Sequence, residues 1–160
     1  MKTLFRSIFT VLFFFSVSTA QDEPLGLSAF FDKPEYRVGE PIKLTLTFLN
    51  RSSETVYLRV AASQIRIASN GEILFKRKGF AGARADFNEL QPGESRPWTL
   101  EFSPESFLMP PAGRHTVTIT YTNTQREWGA DGGARTQRRT MAYKLWTGKI
   151  KTTAPLKIVD

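Results

Sequence analysis

Residues 30–50 read FFDKPEYRVGEPIKLTLTFLN, and the second half of this stretch alternates strictly between apolar and polar side chains. The apolar positions are Ile42, Leu44, Leu46 and Phe48. A period of two is the pattern of a β-strand that buries one face and exposes the other. Gly39-Glu40-Pro41 indicates a turn just before it, because proline fixes its own φ and donates no backbone hydrogen bond. The stretch therefore predicts a strand over residues 42–49 in a protein built from β-sheets.

Short alternating runs, separated by Pro, Gly, Asn and Ser, follow along the rest of the chain. The predicted strands cover residues 25–31, 42–49, 55–60, 64–68, 72–75, 86–90, 97–102, 113–122, 138–146 and 156–159. Strands at this spacing, with no helical periodicity beyond the N-terminus, predict an all-β sandwich or barrel with antiparallel sheets.

Three connections give more specific expectations. The polar turn at residues 50–53 predicts that the strand at 55–60 returns beside 42–49 as an antiparallel hairpin. Asn70-Gly71 predicts a type I′ hairpin turn, because both residues tolerate a positive φ. Residues 147–153 are expected to form a turn or a short irregular piece.

The N-terminus has the pattern of a secretory signal peptide. Lys2 and Arg6 precede an apolar run over residues 8–17, and Ser18-Thr19-Ala20 then supplies the small residues of a cleavage site. The alternative is an uncleaved membrane anchor, but the run is shorter than the ~20 residues that span a bilayer. We expect residues 1–20 to be the signal peptide, residues 21–160 to be a single secreted or periplasmic domain, and no stable membrane insertion after cleavage.

The chain contains no cysteine, so neither a disulfide nor a thiolate metal site can stabilise it. The domain must rely on its packed core, for which about 140 residues are sufficient. An exported sandwich without cysteine fits a bacterial periplasm or cell surface.

Positive charge is concentrated in the last quarter of the sequence. Residues 21–122 hold 12 basic and 12 acidic side chains, whereas residues 123–160 hold eight basic and three acidic ones. This surplus is compatible with an anionic surface or polymer as partner, and also with a charged surface that only aids solubility.

Catalytic and metal chemistry have few candidate residues. His115 is the single histidine. It falls on the side of its predicted strand that faces the core, which predicts a packed structural position. One histidine without cysteine does not make a zinc site, and Asp131 alone is too little for a calcium loop. We therefore expect no catalytic residue, no metal and no cofactor, and the export signal argues against nucleic acid as a partner.

Binding has better candidates, in the long loop over residues 123–139. Its aromatic and basic side chains are Arg126, Trp128, Arg135, Arg138 and Arg139. Exposed tryptophan beside arginine is the composition of an interface hot spot, and loops at the ends of a sandwich often carry recognition. The competing interpretation is that Trp128 folds over the core and the arginines are solvated. Trp146, further along, is expected to cap an edge of the core.

Four motifs resemble those of bacterial exported immunoglobulin-like domains and, more distantly, macroglobulin and fibronectin type III modules. Their residues are Tyr36, Gly39, Glu40, Pro41, Ile42, Leu44, Leu46 and Asn50; Leu90, Pro92, Gly93, Glu94 and Ser95; Pro111, Ala112, Gly113 and Val117; and Trp146, Gly148 and Thr152. The resemblance implies an immunoglobulin-like antiparallel β-sandwich of about seven to nine strands. His115 stands where such domains usually carry a tyrosine, which implies that it ties the start of its strand.

A second resemblance is to bacterial proteinase inhibitors with an immunoglobulin-like fold. We expect a non-enzymatic, exported interaction module that binds another protein or an anionic component of the cell envelope. The alternative is a proteinase inhibitor that acts through an exposed loop, at residues 123–139 or 76–85. The sequence leaves the identity of the partner and the oligomeric state open.

Overall fold

The computed structural model describes residues 23–78, 85–128 and 143–160, apart from the side chains of Arg77 and Trp128. Its strands are β1 (Leu25–Phe31), β2 (Tyr36–Arg37), β3 (Ile42–Asn50), β4 (Val56–Val60), β5 (Ile65–Ser69), β6 (Glu72–Ile73), β7 (Lys76–Arg77), β8 (Asp86–Leu90), β9 (Ser95–Phe102), β10 (Phe107–Leu108), β11 (Gly113–Asn123), β12 (Glu127–Trp128), β13 (Tyr143–Lys144) and β14 (Gly148–Val159). A single 3-10 turn, Ala62–Gln64, precedes β5. The prediction of an all-β protein is confirmed.

Two sheets form the body of the molecule. One has three antiparallel strands in the order β1-β3-β9. The other has five strands in the order β2-β14-β11-β5-β6, antiparallel except that the short β2 pairs parallel with β14. Further antiparallel pairs are β4 with β8, β7 with β10, and β12 with β13.

The inner faces of the two larger sheets share one hydrophobic core. The apolar set predicted on β3 is at most 2 % exposed, and Val117, Ile119 and Tyr121 on β11 are fully buried. The Phe48 ring meets the Tyr121 ring edge-on at a centroid distance of 5.1 Å. Each buried side chain of this size contributes about 1.5–3 kcal/mol to stability, so the alternation in residues 42–49 does supply the core.

The predicted turn at Asn70-Gly71 is confirmed, and a second tight turn lies at residues 91–94. Asn70 (φ 49°) and Gly71 (φ 86°) connect β5 to β6, which pair antiparallel. Gly93 has a φ of 78°, and the backbone N–H of Glu94 donates to the carbonyl oxygen of Gln91 at 2.9 Å.

The predicted hairpin between β3 and β4 is wrong. β3 is hydrogen-bonded to β1 on one side and to β9 on the other, so it has no free edge for β4. The turn that follows Asn50 instead takes the chain away from this sheet, and β4 pairs with β8 from Val56↔Leu90 to Val60↔Asp86.

The prediction of an irregular piece at residues 147–153 is also wrong. Residues 148–153 belong to β14, which pairs with β11 over the whole length from Gly113↔Ile158 to Asn123↔Gly148. A continuous partner strand overrides the weak local preference of a lysine- and threonine-rich sequence. Pro155 is tolerated because the other edge of β14 is paired only at Ile158 and Val159, with β2.

Of the predicted strand at residues 138–146, only Tyr143–Lys144 is described as a strand, and residues 138–142 lie outside the described ranges. Across residues 23–78, 85–128 and 143–160, no helix has the length and apolar character needed to cross a membrane.

Candidate functional site

The predicted binding loop begins and ends in a short two-stranded ladder. In this ladder Glu127 lies opposite Lys144, and Trp128 lies opposite Tyr143. The backbone N–H of Leu145 donates to the carbonyl oxygen of Arg126 at 2.8 Å, which continues the pairing. We call this ladder, together with residues 123–126 and 145–146, the loop base.

The structure places two of the five predicted binding residues on the loop base. Arg126 is exposed, and Trp128 contributes its backbone to β12. Arg135, Arg138 and Arg139 lie outside the described residues. Their proposed role in binding therefore stays a prediction.

The loop base is fixed to the sandwich by hydrogen bonds to a buried asparagine. Asn123 is 2 % exposed, and its Nδ2 donates to the carbonyl oxygens of Trp146 at 2.6 Å and Gln125 at 3.1 Å. Its Oδ1 accepts from Nε2 of Gln64 at 2.9 Å. The backbone N–H of Trp146 also donates to the carbonyl oxygen of Tyr57 on β4 at 2.8 Å. A buried amide with this many partners holds both ends of the loop in a defined position.

Trp146 covers the edge of the core, as the sequence predicts. Its ring stacks on that of Tyr121 at 5.7 Å with an interplanar angle of 21°. It also lies over Gly148, where a Cβ would stand 2.7 Å from Cζ2 of the tryptophan. The Tyr121 hydroxyl donates to the carbonyl oxygen of Arg59 at 2.6 Å, and burial raises the pKa of this tyrosine. Trp146 and Gly148 therefore have a structural role.

Three half-buried aromatic rings pack together next to the loop base, on the strands that support it. Tyr57 on β4, Phe87 on β8 and Tyr143 on β13 form this aromatic cluster, with centroid distances of 5.9 Å (Tyr57–Phe87), 5.0 Å (Tyr57–Tyr143) and 5.1 Å (Phe87–Tyr143). The sequence analysis missed the cluster, because its members come from three distant segments. The only local signal was the alternation along the strand, which places the Tyr57 side chain on the outer face between the inward-facing Val56 and Leu58.

An open hollow of about 380 Å³ adjoins the aromatic cluster at Tyr57. Residues 52–57 line one side and residues 144–146 the other, with Pro24. Backbone groups, hydroxyls and the Lys144 amine are thus available beside the aromatic rings. Such a mixture suits the side chains of a peptide or protein partner.

A second concave feature lies between the neighbouring edges of β1 and β14. This open groove of about 900 Å³ is lined by residues 29–34, 114–116 and 154–157. His115 lines it, and its Nε2 donates to the carbonyl oxygen of Pro111 at 3.0 Å. The bond ties the start of β11 to the preceding segment, as the resemblance implies, but the ring is half-buried at the groove and is not packed inside the core.

In the described ranges, no three or more His, Asp or Glu side chains come together in a way that could hold a metal ion. The fold and the site define an all-β protein with antiparallel sheets and an aromatic surface beside the ladder of β12 with β13. No protein-family model matches this chain, and no curated protein matches it.

Proposed function

We propose that this protein is an exported, non-enzymatic interaction module that binds another protein through the loop base and the aromatic cluster. The observation that carries the proposal is the aromatic cluster itself, which is half-buried and includes Tyr143 of the ladder that follows Arg126. Tyrosine, phenylalanine and arginine are the side chains enriched in protein interfaces.

The rigidity of the loop base supports the same proposal. A surface that is ordered before binding loses less conformational entropy when a partner arrives. The ladder of β12 with β13 and the buried Asn123 supply that order. Half-exposed aromatic rings still have apolar area to bury, which is the main favourable term in association.

The immunoglobulin-like type of the sandwich and its export belong to the same proposal. The four motifs support the first, and the basic, apolar and small-residue sections of residues 1–20 support the second. Mass spectrometry of the protein recovered from the periplasm or medium should give a mature N-terminus at Gln21. Recovery with Met1 intact in the cytoplasm would contradict export.

The binding surface is tested by affinity capture from an extract of periplasm or medium of the organism that encodes the protein. Tyr143→Ala and Arg126→Ala should each lower recovery of a specific partner by about tenfold, the equivalent of about 1.4 kcal/mol. The matched control is Arg96→Ala. Arg96 is also exposed, but it lies on β9 in the three-stranded sheet, which contains no strand of the loop base or the aromatic cluster. All variants must first show the thermal unfolding of the wild type.

The outcomes separate the candidate functions. Equal capture by all variants would remove the loop base from the proposal. Capture that survives digestion of the extract with proteinase would indicate an anionic envelope component instead of a protein. If the partner is a protease that loses activity in the complex, the proteinase-inhibitor alternative is correct.

A further inference from the structure

Three neighbouring strands of the five-stranded sheet contain lysines and arginines but no carboxylate of their own. β5, β11 and β14 contain five lysines and arginines and no aspartate or glutamate. The five are Arg66, Arg114, Lys149, Lys151 and Lys157. They project outward, because the residues that alternate with them on β14, such as Ile150 and Leu156, are buried in the core. We call the outer surface of these three strands the basic face.

The strand register orders these charges into rows. Lys151 lies opposite Thr120, and Thr120 lies opposite Arg66 on the next strand. Six residues further along β14, Lys157 lies opposite Arg114. At about 3.3 Å per residue, the two cationic rows are about 20 Å apart.

Threonines occupy the space between the two cationic rows. They are Thr116, Thr118 and Thr153. Their hydroxyls can donate and accept hydrogen bonds. The basic face therefore has cations at both ends and threonine hydroxyls in its centre, where Pro155 also lies opposite Thr116.

Arg114 and Lys157 lie directly opposite one another, an arrangement of like charges that is destabilising unless a counter-charge is close by. The outer surface of the other sheet shows the usual arrangement, in which Lys43 lies opposite Glu101. Glu35, from the connection before β2, accepts a hydrogen bond from Lys157 at 2.6 Å, and this contact lowers the pKa of Glu35. Beyond the three strands, β6 adds Glu72 at the edge.

The side chains of the basic face favour one class of anionic partner over the others. No large apolar side chain on β5, β11 or β14 is exposed, and Tyr121, the one aromatic residue of these strands, points into the core. Protein interfaces and membrane-bound surfaces bury apolar side chains, and single-stranded nucleic acid stacks on aromatic rings. An acidic polysaccharide needs neither apolar side chains nor aromatic rings on its binding surface. Its carboxylates or sulfates pair with lysine and arginine, and its hydroxyls form hydrogen bonds with threonine.

We propose that the basic face binds a linear acidic polysaccharide that runs along β11 and β14. This rests on the proposed class of exported binding module and names a second partner, on strands other than those that carry the aromatic cluster. Since a single exposed ion pair contributes little, affinity has to come from several cations together. Binding should accordingly weaken steeply as salt increases.

The test uses the mature protein, residues 21–160, with alginate and heparin as probes of carboxylate and sulfate polymers and dextran as the neutral control. Titration calorimetry at about 50 mM salt should show binding to at least one acidic polymer and none to dextran. Raising the salt to about 200 mM should weaken binding by about tenfold or more.

Charge-removing variants locate the surface. The triple change Lys149→Gln, Lys151→Gln and Arg114→Gln should weaken polymer binding by about tenfold or more. The matched control removes three positive charges from the opposite sheet and its flanks, with Lys43→Gln, Arg96→Gln and Arg51→Gln, and should change the affinity by less than about twofold. All six side chains are exposed, so the fold is expected to persist.

Four results would overturn the proposal. The first is no binding to either acidic polymer, and the second is equal weakening by the two triple variants. The third is tighter binding to vesicles with about 30 % anionic lipid than to either polymer. The fourth is loss of polymer binding only in Arg126→Ala or Tyr143→Ala. The last result would move polymer recognition to the loop base. Capture of a protein partner that persists while polymer binding is absent would leave the proposed function intact.

Discussion

Asn50, the last residue of β3, explains at the scale of a single side chain why the chain leaves the first sheet. It is fully buried, and its Nδ2 donates to the carbonyl oxygens of Glu54 at 2.7 Å and Leu90 at 2.9 Å. Its Oδ1 accepts from the backbone N–H and the hydroxyl of Ser52, at 2.9 and 2.7 Å. One amide thus closes the turn after β3 and joins it to the end of β8.

Asn50→Ala should lower the free energy of unfolding by about 2–4 kcal/mol, because it removes the buried hydrogen bond to the Leu90 carbonyl and the bonds that close the turn. Urea titration followed by tryptophan fluorescence measures this loss. Asn88→Ala is the control, since the Asn88 amide makes one long bond of 3.4 Å, to the carbonyl oxygen of Asp86. Equal losses in the two variants would show that the hydrogen bonds of Asn50 are not important for stability.

Gly148 is the second position where a single residue determines local structure. Its φ is 153°, and the Trp146 ring occupies the space of a side chain. Gly148→Ala should therefore lower the free energy of unfolding by about 2–4 kcal/mol, from backbone strain and displacement of the ring together.

Gly93→Ala separates these two causes. Gly93 also has a positive φ, of 78°, but no atom lies within 4 Å of the Cβ position. The loss there should be only about 1–2 kcal/mol, from strain alone. A Gly148→Ala variant no less stable than Gly93→Ala would mean that Trp146 moves aside freely.

At the scale of elements, sequence alternation predicted which faces of β3 and β11 are buried. That pattern is local, because it needs only the period of two within one strand. The identity of a strand's partner is not local. β4 looked like the second arm of a hairpin, and the residues that occupy both edges of β3 lie far away in sequence, in β1 and β9.

The same distinction applies to the candidate site. Trp146 could be predicted as a cap because its segment ends beside the last strand. The aromatic cluster could not, because Tyr57, Phe87 and Tyr143 meet only after β4, β8 and β13 have been placed. The basic residues of β14 were visible as a charge surplus, but their common face appeared only once residues 148–153 were placed in a strand.

Amide hydrogen exchange should rank the strands by their position in the sheets. β3 and β11 each have a hydrogen-bonded neighbour on both sides and contain fully buried side chains, so their amides should exchange only through global unfolding. β6 is a two-residue edge strand whose side chains are both exposed. Its amides should open with a free energy at least about 3 kcal/mol lower. Exchange in β6 as slow as in β11 would contradict the assigned sheet order.

At the scale of the whole molecule, charge is distributed differently on the two outer faces. On the three-stranded sheet, Lys43 lies opposite Glu101. On β5, β11 and β14 of the five-stranded sheet, cations lie opposite threonines or another cation, and the one ion pair that these side chains make within the described residues joins Lys157 to Glu35 outside the three strands. A surface selected only for folding would be expected to resemble the first face, since opposite-charge pairs stabilise a sheet and like pairs do not.

This difference predicts opposite effects of the same substitution on the two faces. Arg114→Gln removes a like-charge contact with Lys157, so the free energy of unfolding should stay the same or rise, by up to about 1 kcal/mol. Lys43→Gln removes an opposite-charge contact with Glu101 and should lower it by about 0.2–1 kcal/mol. Both differences should shrink at about 1 M salt, where the Debye length is about 3 Å. If Arg114→Gln instead lowered the free energy of unfolding by more than about 1 kcal/mol, the arginine would be a structural residue. Its position opposite Lys157 would then no longer suggest selection for binding.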